Sequence, residues 1–277
     1  MEKPVKPTAA KMENRSRDLS GFFRKRDELV TYQFPNLSKF TEIKHAVFTR
    51  LSGCSKPPFD SLNVGLNVGD DPKNVNQNRK AIAQCLAMDE LIFADQVHGT
   101  DIIRLKKENT AKAPLPKQQK GDTLITDIPG VLIAIQAADC QPVLLFEPER
   151  NVIAAVHSGW RGSIQNIIGR TVQCMKTEFG CTPEKIIGGI GPSLGPCCGE
   201  FVHYKKEIPE EFWIHKTGNN HFDFWALSSE QLCTAGVLPE NIHISGLCTR
   251  CRTDYFYSFR GQGTTGRFAG AIGLTKP

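Results

Sequence analysis

Two histidines and one cysteine of this 277-residue chain stand where apolar runs end, and together they could bind a metal ion. Cys140 and His157 each follow an apolar, β-forming run closely, and His98 follows a third such run. Two imidazoles and one thiolate suit Zn²⁺ and leave a fourth position for water or substrate, and copper accepts the same ligands. We therefore predict a metal site formed by His98, Cys140 and His157, which would also be the catalytic residues, with zinc preferred and copper as the alternative.

The residues alone leave other interpretations of this trio open. The ligands are far apart in sequence and lack the close CxxC or HExxH spacing of a strong metal motif. A buried cysteine is commonly a small hydrophobic side chain. Without a metal, Cys140 and His157 could form the nucleophile and base of a cysteine hydrolase. A partner-binding module with a degenerate metal site is a further alternative.

Several polar side chains are candidates for contacts to an anionic or sugar-containing substrate. Planar guanidinium groups suit phosphate, and the asparagine of the segment Ser61-Leu-Asn-Val-Gly65 could bind ribose or phosphate, or serve a turn. The predicted substrate-binding residues are Asn63, Arg50, Arg161 and Arg260. Arg267 has the same ambiguity as Arg260, between anion binding and exposure to solvent.

The remaining motifs give weaker signals. Cys248-Thr-Arg-Cys251 is a single CxxC, and without a second one we favour packing over metal or redox chemistry. Cys197 and Cys198 are adjacent in sequence, and we expect them to serve packing as well. Asp139 could orient a ligand histidine or cap a turn, and we favour the turn.

Short apolar runs separated by turns indicate that strands position these side chains. The predicted strands are 45–49, 91–97, 101–105, 122–126, 131–136, 142–147, 152–157, 185–190, 242–246, 254–260 and 268–274. Helical spacing and capping signals predict helices after Pro72, from 164 to Gly180, and from about 225 to 235. Successive strands joined by tight turns must be antiparallel. The predicted class is α+β, a layered α/β sandwich with a largely antiparallel or mixed sheet core in a single domain.

The first forty residues differ from the rest of the chain. Residues 1–41 are polar and interrupted by Pro4, Pro7 and Pro35, and we predict a flexible N-terminal extension. Residues 42–277 would then form the domain.

Composition argues against several classes of protein. The net charge of +5 is mild and concentrated near the N-terminus, so nucleic acid is a poor partner. No run approaches the roughly 20 apolar residues of a membrane span, and we expect no membrane partner. The N-terminus lacks an apolar signal segment, which predicts a cytoplasmic protein whose ten cysteines stay reduced. We take a monomer as the default.

Five motifs, in this order, make the sequence resemble the laccase-domain purine nucleoside phosphorylase family, the YfiH group formerly called polyphenol oxidases. They are Gln96-Val-His-Gly99, Ala138-Asp-Cys-Gln-Pro142, Ala155-Val-His-Ser-Gly-Trp-Arg-Gly162, Gly189-Ile-Gly-Pro192, and Tyr257-Ser-Phe-Arg260 with Thr265-Gly-Arg267. The resemblance covers about residue 42 to the C-terminus and implies an α/β sandwich with zinc bound by His98, Cys140 and His157.

The same resemblance implies an activity. It is phosphorolysis of adenosine, guanosine or inosine, and methylthioadenosine, with purine nucleosides and phosphate as substrates and adenosine deamination as a further activity. Copper-dependent phenol oxidation is the older family label and stays an alternative, as does a cysteine hydrolase using Cys140 and His157.

Overall fold

The computed structural model describes residues 23–26, 28–106 and 119–276. Its strands are β1 (Phe23–Arg26), β2 (Leu29–Tyr32), β3 (Ile43–Phe48), β4 (Glu90–Phe93), β5 (Ile102–Leu105), β6 (Thr123–Thr126), β7 (Val131–Ala137), β8 (Gln141–Glu147), β9 (Val152–Ser158), β10 (Ile187–Ile190), β11 (Lys216–Thr217), β12 (His221–Phe222), β13 (Ile242–Ile244) and β14 (Phe268–Leu274). Its α-helices are α1 (Pro72–Cys85), α2 (Trp160–Ile164), α3 (Ile167–Phe179), α4 (Tyr204–Glu207), α5 (Phe224–Thr234) and α6 (Phe259–Gln262). Short 3₁₀ turns are Leu37–Lys39, Leu66–Val68, Pro183–Lys185, Glu210–His215 and Pro239–Asn241.

Two six-stranded mixed sheets form the centre of the fold. Their strand orders are β1-β2-β3-β14-β7-β4 and β13-β10-β8-β9-β6-β5. The pairs β4–β7, β5–β6 and β10–β13 are parallel, and the other pairs within these two sheets are antiparallel. β11 and β12 form a separate two-stranded ribbon.

Buried side chains on both faces of the central strands explain why the two sheets stack and why helices cover them. In β7, Ile133 and Ile135 belong to a core shared with the other sheet, whereas Leu132 and Ala134 pack in the cluster that contains Ile82 of α1. In the second sheet, β9 also divides its side chains between the shared core and an outer core, because neighbouring side chains point to opposite faces of a strand. The layers are therefore helix, sheet, sheet and helix, and the predicted α+β sandwich is confirmed.

The predicted helices are present. α1 begins with Pro72, and the carboxylate of Asp71 accepts a hydrogen bond from the backbone N–H of Lys73 at 2.8 Å. Gly180 follows the last residue of α3 as its C-terminal cap. It has φ 70° and takes the left-handed conformation that glycine adopts without a steric penalty. α5 covers the third predicted helix.

One predicted strand is wrong. Residues 254–260 form turns followed by the short helix α6 instead of a strand. Phe256 and Tyr257 are fully buried, and the Tyr257 hydroxyl donates to the carbonyl of Phe59 at 2.6 Å. The apolar residues of this segment fill the core from a turn, so their composition resembles that of a strand although no strand pairs with them.

The folded unit begins before residue 42, which corrects the predicted extent of the N-terminal extension. β2 pairs with β3, and Tyr32, Phe34 and Leu37 are buried. The amide of Asn36 donates to the carbonyls of Gly188 and Asn241 at 2.9 and 2.8 Å. These buried aromatic and aliphatic residues stand among polar residues and prolines without a regular period, which hid them from the sequence pattern. Residues 1–22 of the predicted extension lie outside the described residues.

Within the described ranges, the helices are too short or too polar to cross a lipid bilayer.

Candidate metal centre and cavity

The side chains of His98, Cys140 and His157 converge at the edge where the two sheets meet. One potential ligand atom from each residue lies within 4.8 Å of the others. His157 is in β9 of one sheet, Cys140 is in the turn that joins β7 to β8 across the sheets, and His98 is in the loop after β4. The two imidazole rings are 4.9 Å apart between centroids and nearly perpendicular, at 85°.

A buried carboxylate orients both histidines. Asp122, just before β6, places Oδ1 at 2.8 Å from Nδ1 of His157 and is fully buried. The same carboxylate accepts the backbone N–H groups of Val97, His98 and Gly99 at 3.2, 2.9 and 2.7 Å. His98 has φ 60°, an uncommon backbone conformation for a residue with a side chain, and these hydrogen bonds hold it there. Asp122 therefore fixes one imidazole directly and the other through its backbone.

The electrostatics of the trio favour a thiolate. Burial alone would raise the pKa of Cys140, but the positive charge of His157 and hydrogen bonds from both histidines lower it to about 6. Burial would lower the pKa of His157, but the Cys140 thiolate and Asp122 raise it. A thiolate and an imidazolium thus stabilise each other, and a cation held by the thiolate could replace the imidazolium proton.

The local backbone leaves room for an ion. Gly159 precedes α2, and a Cβ atom at this position would lie 3.0 Å from Sγ of Cys140 and 3.3 Å from Cδ2 of His98. A larger residue would crowd the space between the side chains. The two imidazoles and one thiolate also form a donor set that Zn²⁺ and copper both accept. The trio therefore fits a metal ion.

The trio opens onto a cavity of about 560 Å³, a size typical of small-molecule sites. Apolar rings and polar side chains share its wall. The lining residues are Gly65, Asn67, Val68, Asp95, Gln96, His98, Gln136, Ala137, Ala138, Asp139, Cys140, Gln141, His157, Ser158, Trp160, Leu194, Phe201, Phe224, Phe259, Arg260 and Arg267.

Two arginines bring positive charge to this cavity. Arg260 donates from Nη1 to the carbonyl of Glu200 at 2.5 Å, and its backbone N–H donates to Oδ2 of Asp139 at 2.6 Å. Nη1 of Arg267 donates to the carbonyls of Thr265 and Gly266, both at 2.9 Å. Asp139 has φ 87° and also accepts from the hydroxyl of Thr249, so it ties together the turn that carries Cys140 and the segment that carries Arg260.

Three predicted substrate-binding residues lie elsewhere in the structure. The guanidinium of Arg50 is buried against Asp60 and over the ring of Tyr257. Asn63 is fully buried and bonds Asp70, Gly65 and the backbone N–H of Arg267. Arg161 is exposed, 4.9 Å from the ring of Trp160. None of the three lines the cavity, and their contact with substrate stays a prediction.

Sequence reasoning missed two groups that the fold brings to the site. The carboxylate that contacts His157 is Asp122, whereas Asp139 stabilises its own turn. The signal available in the sequence was that Asp122 directly precedes an apolar strand. Gln136 Oε1 and Gln141 Nε2 are buried at the cavity and have no hydrogen-bond partner among the described residues. Buried amide groups of this kind normally have partners, and a ligand would meet these two only after the side chains turn towards the cavity.

Comparisons with known proteins agree with this fold. The chain is similar to a solved structure described as the hypothetical protein YfiH of Bacillus licheniformis, with a TM-score of 0.80 and 30% identity, covering 91% of this chain and 99% of that one. It is 36% identical over 254 residues to a purine nucleoside phosphorylase of Deinococcus radiodurans, covering 87% of this chain and 92% of that protein. It is also 36% identical over 240 residues to purine nucleoside phosphorylase YlmD of Geobacillus stearothermophilus, covering 81% and 88%.

The layered sandwich is therefore shared with the solved YfiH structure. Residues 44–275 match the model of the multi-copper polyphenol oxidoreductase laccase family, and the chain belongs to that family. The resemblance predicted from the five sequence motifs is confirmed.

Proposed function

We propose that this protein is a zinc-dependent purine nucleoside phosphorylase that acts on adenosine, guanosine or inosine, and methylthioadenosine, and that also deaminates adenosine. The observation that carries the proposal is the convergence of His98, Cys140 and His157 on one cavity that also holds Arg260 and Arg267. The names of the Deinococcus and Geobacillus relatives support the reaction class.

In this proposal, the trio holds the ion and the arginines hold phosphate. His98, Cys140 and His157 would bind Zn²⁺, and the bound ion supplies positive charge that attracts and polarises an anionic reactant. Arg260 and Arg267 line the same cavity and present planar donors suited to phosphate oxygens. Their hydrogen bonds to backbone carbonyls hold the guanidinium groups in place before substrate arrives.

The purine would lie against the aromatic part of the cavity. Trp160, Phe201, Phe224 and Phe259 line it, and aromatic side chains stack on nucleobases. By turning towards the cavity, the unpartnered Gln136 Oε1 and Gln141 Nε2 would offer an acceptor and a donor for the polar edge of the base. This combination of rings, amides and cations suits a nucleoside and phosphate together.

The chemistry then depends mainly on positioning. In phosphorolysis, a phosphate oxygen forms a bond to ribose C1′, the bond from C1′ to the purine nitrogen breaks, and the base leaves with that electron pair and gains a proton. Arginines that hold phosphate in line with C1′ supply orientation and charge stabilisation, which account for much of the acceleration in such transfers. In deamination, water supplies the oxygen that replaces the C6 amino group, and ammonia leaves.

A nucleoside turnover screen with and without phosphate tests the proposal. The purified chain is incubated with adenosine, inosine, guanosine and methylthioadenosine, and products are separated by chromatography. We expect free base and ribose 1-phosphate, or methylthioribose 1-phosphate from methylthioadenosine, only when phosphate is present, and inosine from adenosine without it. Absence of all base release from a zinc-loaded, folded protein contradicts the proposed reaction.

The geometry also favours one alternative enzyme, a cysteine hydrolase. Asp122, His157 and Cys140 are arranged as an acid, base and thiol, with Asp122 on Nδ1 of His157 and a lowered pKa for the Cys140 thiol. Chelation separates the two functions, because a hydrolase that uses only the thiol keeps its activity without metal. A copper-dependent phenol oxidase would instead contain copper and consume oxygen with phenols.

We further propose that the protein acts as a cytoplasmic monomer without a nucleic-acid or membrane partner. Its ten cysteines, all in the described part of the chain, are free thiols, which suits a reducing compartment. Light scattering on the purified chain would measure the oligomeric state, and a dimer would contradict this part of the proposal.

A further inference from the structure

Four cysteines from two segments that are distant in sequence form a sulfur cluster that is separate from the trio. Cys197 and Cys198 follow β10, and Cys248 and Cys251 follow β13. All four Sγ atoms lie within 4.8 Å of one another. Sγ of Cys251 is 3.6 Å from Sγ of Cys197 and 3.6 Å from Sγ of Cys198. The thiols are free, so no disulfide explains why they gather here.

The spacing of the sulfur atoms matches a tetrahedral metal site. Zinc bound by four thiolates has Zn–S distances of about 2.3 Å, which places the sulfur atoms about 3.8 Å apart. The observed 3.6 Å distances are close to that value. Cys248 is buried whereas Cys197 and Cys251 are exposed, so the cluster sits at the surface, where an ion could enter.

We propose that Cys197, Cys198, Cys248 and Cys251 bind a second zinc ion in a structural site that is separate from the candidate metal centre. Four sulfur ligands fill the tetrahedral coordination of zinc and leave no open position for a substrate, which is typical of a structural site. On binding, the four thiols bond to Zn²⁺ as thiolates and release their protons to solvent.

The backbone around the cluster is arranged for thiolates. The N–H of Gly195 donates to Sγ of Cys248 at 3.3 Å, and the N–H of Cys251 donates to the same sulfur. Backbone N–H groups that point at a sulfur stabilise the thiolate form that a metal ion requires.

The segment that carries Cys197 and Cys198 borders the cavity and is hydrogen-bonded to the segment that carries Cys248 and Cys251. The backbone N–H of Ser193 donates to the carbonyl of Leu247, and that of Thr249 donates to the carbonyl of Ser193, at 3.1 and 3.0 Å. The Thr249 hydroxyl then donates to Asp139, next to Cys140. Leu194 and Phe201, on either side of Cys197 and Cys198, line the cavity. The second ion would hold the two segments together and so fix the part of the wall that Leu194 and Phe201 form.

Zinc content of the full-length protein tests the proposal. We expect two zinc ions per chain in wild type, one in Cys140→Ser, one in the double variant Cys197→Ser/Cys251→Ser, and none in the combined triple variant. Cys233→Ser is the matched control, because Cys233 is a half-buried thiol outside both groups, and it should keep two ions. A folded double variant with the same zinc content as wild type overturns the proposal.

The Cys140→Ser protein allows a test that does not depend on whether the double variant folds. X-ray absorption at the zinc edge should show four sulfur neighbours at about 2.3 Å in that protein. Zinc with nitrogen or oxygen neighbours, iron in place of zinc, absence of bound metal, or a disulfide among the four cysteines in the non-reduced protein overturns it. Because Cys140→Ser removes the catalytic trio, this outcome is independent of the proposed nucleoside chemistry.

Discussion

Oδ1 of Asp122 lies 2.8 Å from Nδ1 of His157, and the carboxylate that makes this contact is completely buried. The contact keeps a proton on Nδ1 of His157, so Nε2 is the atom that faces Cys140 and that would bind the proposed ion. Because the same carboxylate holds the backbone of the His98 loop, one side chain organises two of the three proposed ligands. Carboxylates behind ligand histidines commonly raise metal affinity.

Asp122→Asn should weaken metal binding at the trio by about 10- to 100-fold. The amide has nearly the same size but loses the negative charge and accepts fewer backbone hydrogen bonds. Zinc affinity is measured by competition with a chromophoric chelator in the Cys197→Ser/Cys251→Ser background, where only the trio should bind. Asp101→Asn is the control, because Asp101 is exposed and directly precedes β5, the strand that pairs with β6. An unchanged affinity in Asp122→Asn would show that the carboxylate does not support a ligand.

In metal-free protein, Cys140 should react with iodoacetamide well below the pH at which ordinary cysteines react. Its pKa is lowered to about 6, against about 8.5 for an unperturbed thiol, so the thiolate predominates at neutral pH and is lost as pH falls through about 6. Peptide mass spectrometry after alkylation at a series of pH values gives the profile of each cysteine.

Cys54 provides an internal reference for that experiment, because burial raises the pKa of its thiol. His157→Gln should move the Cys140 profile towards higher pH, since the imidazolium that stabilises the thiolate is gone. Coincident profiles for Cys140 and Cys54 in wild type would contradict the proposed ion pair.

Arg260→Met and Arg267→Met should each raise the KM for phosphate about tenfold or more, with a smaller change in the KM for nucleoside. A charge-assisted hydrogen bond contributes about 1.5–3 kcal/mol, which sets this scale. Initial rates of base release at varied phosphate give the constants. Arg170→Met is the matched control, since Arg170 is exposed, lies outside the cavity lining and also donates to a backbone carbonyl. Equal effects of all three changes would argue that the cavity arginines do not bind phosphate.

Phe34→Ala should destabilise the protein by about 3–5 kcal/mol, the usual cost of removing a buried aromatic ring. Phe34 is fully buried, and a Cβ atom on Gly189 of β10 would lie 2.6 Å from its ring. Urea unfolding measures the change. Ile214→Ala, at a position 83% exposed, should have almost no effect. A Phe34→Ala protein as stable as wild type would mean that this N-terminal part contributes little to the fold.

Local patterns predicted the elements better than the contacts between them. The apolar run of β7 and the cap at Asp71 identified a strand and a helix, because periodicity and capping are local properties. Burial of Phe34 against Gly189 depends on residues far apart in sequence, and no local pattern reveals it.

In the candidate site, too, local patterns identified residues but not the contacts between distant segments. His98, Cys140 and His157 could be selected by residue type and by their positions after apolar runs, and the structure brings them within 4.8 Å. Asp122 behind His157 could not be distinguished from other acidic residues until the β6–β9 pairing placed them side by side. The sulfur cluster was hidden for a related reason, because neither Cys197-Cys198 nor the single CxxC indicates that the two segments meet.

The most direct test of the proposed function is phosphate-dependent base release by His157→Ala, measured together with its metal content. The proposal predicts that this variant folds, loses the metal ion held by the trio and loses phosphorolysis, while the four-cysteine ion remains. Full phosphorolysis with unchanged metal content would contradict the central claim that these three side chains bind the catalytic ion.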